Sequence, residues 1–389
     1  MEDLKERLEQ SARQDGAVAV GIASRERLLS SPPSAHPDYM LPDAQSAVSF
    51  AVAIDQNVLR QSFRKEVWLA HGRELKRATQ LIYGVGDPIV ELLRDQGFQA
   101  FQVDVNDTFR PQQGVSDPLL MTVFLPDFSH RYGAVSAGLG RLGWSGNLLI
   151  PGYGATVLLG TVLTSARMEP DPLVADNPCD RCKVCTAVCP VGMMSPRDSV
   201  EVSVAGITET IARKQPASRC WVSCGDYHGL EPGGKWTNWS PYRVTTPLPS
   251  EKDDIDALLI ALRNTDPTEH QAVNPFSEYR TAAFNPDWPF VAACGNCANV
   301  CWDRREDRME NRRLITSSGR AVLTPDGNRS SSSGDTVEID TAFGVRVEVE
   351  RHDYESGRFA GTGQAATGHT FLDHEVLKHL ADEGASYRS

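Results

Sequence analysis

Four cysteines fall close together in this chain, and a proline follows the last of them. Their spacing is C-x2-C-x2-C-x3-C-P, the ligand run of bacterial ferredoxins that carry two [4Fe-4S] clusters. In such a run the first three thiolates hold one cluster and the fourth binds the other, so a second run must complete both. The four residues are Cys179, Cys182, Cys185 and Cys189.

A second run with the spacing C-x2-C-x3-C supplies the missing ligands. It consists of Cys294, Cys297 and Cys301. Cross-ligation predicts that Cys301 completes the first cluster, with Cys179, Cys182 and Cys185. The second cluster then takes Cys189, Cys294 and Cys297 with either Cys220 or Cys224, and one of the nine cysteines stays free.

Structural zinc is the alternative to iron and sulfur, because zinc also accepts four thiolates. Zinc sites usually combine two short hooks of two cysteines each. Three cysteines at successive x2 spacings, followed by x3-C-P and a complementary second run, favour two [4Fe-4S] clusters.

Composition restricts the remaining function classes. A cysteine motif in a chain without an export signal predicts a reducing, cytoplasmic location and metal binding rather than disulfides. The net charge of −12 argues against broad nucleic-acid binding, since phosphate contacts require concentrated Lys and Arg. No apolar run approaches the roughly 20 residues that span a bilayer, so no membrane segment is expected.

Alternating helical and strand patterns over about residues 1–168 indicate an α/β or α+β domain. Leu4, Leu8 and Ala12 mark an amphipathic first helix, and Ser46–Ile54 is an apolar run expected to form a strand buried on both faces. The cysteine region follows at about 169–304, with a long insertion at about 225–290. Residues 305–389 form a C-terminal extension, for which a hairpin around TVEIDTAFGVRVEVE and a short helix near the end are predicted.

The segment before the first cysteine run carries a resemblance. Residues 129–171 contain AGLGRLGWSGNLL, PGYG and LLGTVLT, which resemble the matching stretch of epoxyqueuosine reductases and corrinoid reductive dehalogenases. The similarity extends over roughly residues 5–190, with further patches at 217–222 (ASRCWV) and 294–302. It marks the chain as a divergent relative of that superfamily.

The resemblance implies an α+β protein with a nitroreductase-like α/β domain that holds cobalamin, followed by a ferredoxin-like module. A ferredoxin or flavodoxin would supply single electrons through the clusters to cobalt, for reduction of a small organic molecule. Glycines would let the backbone approach the macrocycle closely, and the ASRCWV match selects Cys220 over Cys224 as the ligand. The implied cofactor-binding residues are Gly138, Leu139, Gly140, Gly143, Gly146 and Asn147.

Tyr132 marks a departure from one branch of this superfamily. Epoxyqueuosine reductases carry an acidic proton donor at the position that aligns with Tyr132, whereas the dehalogenases use a tyrosine with a basic neighbour. Here Arg131 and His130 flank the tyrosine. We therefore expect Tyr132 to donate a proton, assisted by Arg131 or His130.

Two further departures leave alternatives open. The insertion contains Trp236 and Trp239 and could cap the cofactor pocket or merely elaborate the surface. The helical repeats associated with tRNA binding are missing, so a tRNA substrate is doubtful. Haem or another tetrapyrrole could replace cobalamin, and a non-catalytic electron carrier is the remaining alternative; the oligomeric state is left open.

Overall fold

The computed structural model describes residues 2–67, 70–105, 126–224, 229–239 and 294–323, together with strand residues 329–332, 336–340 and 346–350. Most of the insertion predicted at 225–290 and the helix predicted near the C-terminus lie outside this part of the chain.

Helices and strands alternate along the described residues. The helices are α1 Glu2–Gln14, α2 Arg25–Leu29, α3 Gln56–Phe63, α4 Ala70–Asp95, α5 His130–Ser136, α6 Val184–Ala187, α7 Ala217–Cys224, α8 Asn296–Asn299 and α9 Arg305–Ser317. The strands are β1 Ala19–Ser24, β2 Ser46–Ala53, β3 Ala100–Gln102, β4 Arg141–Leu142, β5 Leu148–Leu149, β6 Val157–Thr164, β7 Met194–Val204, β8 Ile207–Lys214, β9 Arg320–Leu323, β10 Arg329–Ser332, β11 Thr336–Asp340 and β12 Arg346–Glu350.

A four-stranded sheet organises the N-terminal part. Its order is β1-β2-β6-β3, and all three pairings are antiparallel. The sequence pattern allowed α/β or α+β, and antiparallel pairing supports α+β, because α/β folds are built on mostly parallel sheets. The mixed helix and strand content thus agrees with the predicted fold class.

Both faces of this sheet are covered, as the apolar pattern of β2 predicts. Val48 and Phe50 belong to the core that includes Leu8 of α1 and Ile82 of α4. Ala47 and Ala51, on the opposite face of β2, belong to a second core that includes residues of α5. Alternate residues of a strand face opposite sides, so β2 is buried between two helical layers.

The first cysteine run leads into a long hairpin formed by β7 and β8. Ala205 and Gly206 connect the strands with φ values of 52° and 80°, as a two-residue type I′ turn requires. Ala205 donates its backbone N–H to Ser31 Oγ at 2.9 Å, which ties the turn to the N-terminal part. The sequence analysis did not predict this hairpin.

The predicted C-terminal hairpin is confirmed in β11 and β12. Val337 pairs with Val349 and Ile339 with Val347, in antiparallel register. Helix α9 precedes it and was not predicted; its Leu314 joins the core shared with α1 and α4. No helix among the described residues is long and apolar enough to cross a lipid bilayer.

Candidate metal centres

Four thiols from the two cysteine runs line one cavity. Cys179, Cys182 and Cys185 come from the first run and Cys301 comes from the second. This is the set that cross-ligation predicts for one cluster, and we name it site one. The other lining residues are Trp144, Ser145, Leu149, Lys183, Val184, Val300 and Arg308.

The backbone of the first run turns sharply so that its thiols share this cavity. Arg181 and Lys183 have φ values of 54° and 62°, in the left-handed region that residues with a Cβ rarely adopt. Strained conformations of this kind concentrate at binding sites and are held there by the surrounding structure. Two of them within one short loop indicate that the loop is shaped to present its thiols.

Positive charge also borders site one. Arg308 is buried, lines the cavity and donates to Asp180 Oδ2 at 3.1 Å. Its Nε is buried without a hydrogen-bond partner among the described residues. Arg305 donates to the same carboxylate oxygen of Asp180 at 2.7 Å.

Three thiols of site one, those of Cys182, Cys185 and Cys301, have a raised pKa and so resist ionisation. Burial raises the pKa of Cys185 to about 12, and the neighbouring thiolates, first that of Cys301, raise it further. Burial also raises the pKa of Cys301 to about 12, although the charge of Arg308 opposes the shift. Because metals bind the thiolate form, a positively charged group at the centre of the cavity would be needed to hold these sulfurs ionised.

A second group of thiols, which we name site two, consists of Cys189, Cys294 and Cys297 with Cys220 and Cys224 of α7. Burial raises the pKa of Cys189 to about 11, and the charges of Cys297 and Cys224 add to this effect. Burial likewise raises the pKa of Cys294 and of Cys297, and in each case the charge of Cys224 contributes. The five thiols therefore share one electrostatic environment.

Hydrogen bonds reach sulfurs in both sites. Trp144 donates its backbone N–H to Cys179 Sγ at 3.3 Å, and Met193 donates to Cys189 Sγ at 3.3 Å. Asn147 donates its side-chain amide to Cys297 Sγ at 3.6 Å. The loop that contains Trp144 and Asn147 thus contacts one sulfur of each site.

The two sites adjoin through a small apolar cluster. Trp144, Met194 and Ala212 pack there with cysteines of site one and with Cys189 and Cys297 of site two. Among the described residues, no three His, Cys, Asp or Glu side chains gather closely enough for a single metal ion. A [4Fe-4S] cluster has a different requirement, since each thiolate binds a different iron.

Three of the four predicted cofactor-binding glycines lie against the protein itself. A Cβ at Gly138 would lie 2.2 Å from the carbonyl oxygen of Pro172, and one at Gly140 would lie 2.1 Å from that of Leu149. A Cβ at Gly143 would meet the Leu149 side chain at 2.5 Å. Internal packing therefore explains these three glycines, and Leu139 is buried in the core beside them.

Gly146 has different surroundings. Its φ is 74°, and a Cβ there would meet the Nζ atom of Lys214 at 2.8 Å, the mobile end of a side chain. Arg131 donates to the Gly146 carbonyl at 3.0 Å. The nearest atom to a Cβ at Gly146 is therefore the end of a lysine side chain rather than backbone, and the adjacent Asn147 is partly buried.

The predicted catalytic residues lie on α5 and differ in their contacts. Tyr132 is partly buried beside the core, and Arg131 is exposed. His130 is fully engaged: Nδ1 is 2.9 Å from Thr161 Oγ1 and Nε2 is 3.0 Å from the Asp104 carbonyl. Burial also lowers the pKa of His130. These contacts give His130 a structural role and leave Tyr132 and Arg131 as candidates for the chemistry.

Glu209 of β8 was missed by the sequence analysis. It is buried and accepts hydrogen bonds from Arg141 at 2.6 Å, from the backbone of Leu142 at 3.1 Å and from Asn177 at 3.1 Å. One carboxylate thus joins the β7–β8 hairpin, the glycine-rich loop and the residues just before Cys179. A lone Glu in an amphipathic strand carries no sequence signal of such a role.

Gly154 and Lys214 were also missed. A Cβ at Gly154 would lie 2.1 Å from the carbonyl oxygen of Cys301, so this glycine lets the second cysteine run dock on the loop. Lys214 retains exposed surface, yet the protein around its ammonium and the charge of Arg131 lower its pKa to about 8.

Two tryptophans of the insertion pack against the protein. Trp236 is buried in the main core, and Trp239 Nε1 donates to the Ser62 carbonyl at 3.0 Å. These contacts account for both side chains without a cofactor. The rest of the proposed cap lies outside the described residues.

Comparison with known proteins gives one match in sequence. An epoxyqueuosine reductase from Synechococcus sp. (strain RCC307) is 39% identical to this chain over 62 residues, which is 16% of this chain and 19% of that protein. The chain therefore spans about a fifth of the length of this relative. No family model matches the chain.

Solved structures of both branches are also similar. A reductive dehalogenase whose structure suggests a mechanism for B12-dependent dehalogenation matches with a TM-score of 0.44 and 14% identity, over 93% of this chain and 49% of that one. Epoxyqueuosine reductase from Bacillus subtilis matches with a TM-score of 0.39 and 17% identity, over 81% of this chain and 82% of that one. The sequence match to an epoxyqueuosine reductase agrees with the resemblance described in the sequence analysis, within the 62 residues that it covers.

Proposed function

We propose that this protein is an oxidoreductase that holds two [4Fe-4S] clusters and a cobalamin and reduces a small organic molecule. The observation that carries the proposal is the sorting of the thiols: the two distant cysteine runs contribute jointly to two adjoining sites, as cross-ligation requires. When bound, the clusters would carry single electrons and the corrinoid would supply the reducing centre.

The residues of site one fit a cluster. Cys179, Cys182, Cys185 and Cys301 would bind the four irons, and the lone Nε of Arg308 is a buried donor for the negative charge of a thiolate-bound cluster. At site two, Cys189, Cys294 and Cys297 would bind with a thiol of α7. The amide of Asn147 already donates to one of these sulfurs, as donors around clusters commonly do.

The turn at Gly146 and Asn147 is the part of the glycine-rich loop that fits a macrocycle. It borders site two through Cys297, and its neighbours Arg131 and Lys214 are cations with no carboxylate partner among the described residues. These groups would receive the polar rim of a corrinoid and place it next to site two. Haem is the alternative macrocycle.

Tyr132 would deliver the proton that a reduction consumes. Tyr132 directly follows Arg131 in α5. The Arg131 guanidinium donates a hydrogen bond to the Gly146 carbonyl at 3.0 Å. A phenol can donate a proton to a developing negative charge, and Arg131, which precedes Tyr132 on the same helix, would add positive charge to this side of the loop. His130 is left out of this step because both its ring nitrogens are occupied.

The macrocycle assignment is tested by incubating protein purified without oxygen with hydroxocobalamin or with haem and removing unbound cofactor. We expect about one cobalt per chain and corrinoid absorption bands. A haem Soret band without retained corrinoid would require the alternative macrocycle, and retention of neither would indicate an electron carrier without an active site.

The role of Tyr132 is tested by Tyr132→Phe in the cofactor-loaded protein. We expect turnover to fall by roughly 100-fold or more, because proton transfer from a positioned side chain contributes about that much, with unchanged cofactor spectra. Tyr153 lies partly buried in the same core, so Tyr153→Phe is the matched control. Equal activity of the two variants would remove Tyr132 from the mechanism.

Electrons would enter at site one from a ferredoxin or flavodoxin. Helix α9 borders this site and carries Arg305 and Arg313, whose side chains are 56% and 64% exposed. Arg305 is paired with Asp180 and Arg313 with Glu310, so this helix offers fixed charges of both signs, against which an electron carrier would orient. A cytoplasmic location agrees with such a donor and with reduced thiols.

A further inference from the structure

Helix α7 brings two thiols to site two where one ligand is needed. Cys220 Sγ and Cys224 Sγ are 3.8 Å apart, on successive turns of the same helix. Residues four apart share a helix face, so both sulfurs are presented on the same side. The resemblance in sequence selects Cys220 alone.

Both thiols lie near the rest of site two. The hydrogen bond with Cys224 raises the pKa of Cys220 most, and the charges of Cys297 and Cys294 raise it further. Cys224 in turn influences the pKa of Cys189, Cys294 and Cys297. Neither thiol of α7 is therefore separated from Cys189, Cys294 and Cys297.

The hydrogen bonds around the Cys224 sulfur also favour metal binding. Its sulfur shares a hydrogen bond with Cys220 Sγ, in which either thiol can donate, and accepts hydrogen bonds from the backbone N–H groups of Cys294 and Gly295. Such donors stabilise a thiolate. By this geometry Cys224 is as well placed to bind iron as Cys220.

We propose that Cys220 and Cys224 are interchangeable ligands of one iron at site two. This inference rests on the proposed function, since it presupposes a cluster there. In the exchange, the bond from iron to one sulfur breaks as the bond to the other forms, and the proton of the incoming thiol passes to the released thiolate. No electron is gained or lost. Site one has no spare thiol, because each of its four thiols would bind one iron and the other five cysteines belong to site two.

The test compares Cys220→Ala, Cys224→Ala and the double variant with the wild-type chain, all purified without oxygen. Iron and acid-labile sulfide are counted, and electron paramagnetic resonance (EPR) spectra are recorded after oxidation and after reduction. We expect about eight irons in the wild type and in each single variant, with a changed signal from one reduced cluster only. The double variant should lose iron from site two and show the oxidised signal of a three-iron cluster.

One outcome overturns the inference: a single variant that behaves like the double variant while the other behaves like the wild type. That result would assign a dedicated ligand. Failure of the proposed function would look different, because the wild type itself would lack about eight irons.

A measurement without substitution guards against variants that fail to fold. The folded, cluster-loaded wild type is treated with iodoacetamide, and the label is located by mass spectrometry of the peptides. Interchangeable ligands predict label on both Cys220 and Cys224, divided between different molecules. Label on one of the two residues alone would contradict the inference.

Discussion

Sites one and two draw on the same two cysteine runs, but the fold surrounds them differently. Site one has four thiols, a loop held in a strained conformation, and Arg308, which shares Asp180 with Arg305. Site two has five thiols, and the cations near it, Arg131 and Lys214, have no carboxylate partner among the described residues. Under the proposed function, site one would hold a fixed cluster, whereas site two would also interact with a further group.

Replacing one cysteine in each site is the most severe way to test whether they are separate. Cys185→Ala should disrupt only the cluster of site one, and Cys297→Ala only that of site two, because each thiol lies in one site. We expect iron to fall below about eight per chain in each variant, with the loss confined to the site that lacks a thiol. EPR of the reduced proteins should show different surviving signals, and loss of both clusters in either variant would refute two independent sites.

Glu209 tests how site one is held. Glu209→Gln breaks a buried ion pair with Arg141, whose two atoms are 2.6 Å apart. Removing one partner of such a pair costs about 3 to 5 kcal/mol, and we expect urea unfolding followed by tryptophan fluorescence to show a loss of that size.

The control for Glu209 is Glu310→Gln, which breaks a pair with Arg313 on the surface of α9. An exposed pair contributes little to stability, because water and salt screen it. If both variants lose equally little, the carboxylate of Glu209 does not hold the loop and the cysteine run together.

Lys214 tests the cations at site two and has the smallest expected effect. A unit charge contributes about 1 to 2 kcal/mol at roughly 8 to 15 Å when the effective dielectric constant is about 20. One tenfold change in a one-electron equilibrium is about 59 mV, so Lys214→Gln should lower the reduction potential of the cluster at site two by roughly that amount. A redox titration followed by EPR measures it.

Lys183→Gln is the matched variant at site one. Lys183 lines that cavity and influences its thiols, so its removal should lower the potential of the other cluster. A shift of both potentials by the same amount in either variant would show that the two sites do not differ in their local charges.

The sequence anticipated the features that depend on local pattern. The alternation in β11 and β12, the buried β2 and the grouping of Cys179, Cys182 and Cys185 with Cys301 around one cavity all follow from spacing. Binding of iron by these thiols and the role of Tyr132 remain predictions, because the spacing of residues does not identify the bound metal or the substrate.

Features that depend on contacts between distant segments could not be predicted. The close approach of Gly138 and of Gly140 to the carbonyl of another segment could not be read from the sequence, and their contact with a macrocycle stays a prediction. Glu209 acquires its partners only when β8 packs beside the loop and the cysteine run. A single sequence shows that a glycine or a carboxylate is present, but the neighbour that explains it comes from the tertiary fold.

The central claim is that the nine cysteines build two separate four-iron clusters. The most direct measurement is the iron, sulfide and zinc content of the wild-type chain purified without oxygen, with a Mössbauer spectrum of the same sample enriched in iron-57. The account predicts about eight irons and about eight sulfides per chain in two [4Fe-4S] environments. Stoichiometric zinc, or about four irons in a single environment, would contradict it.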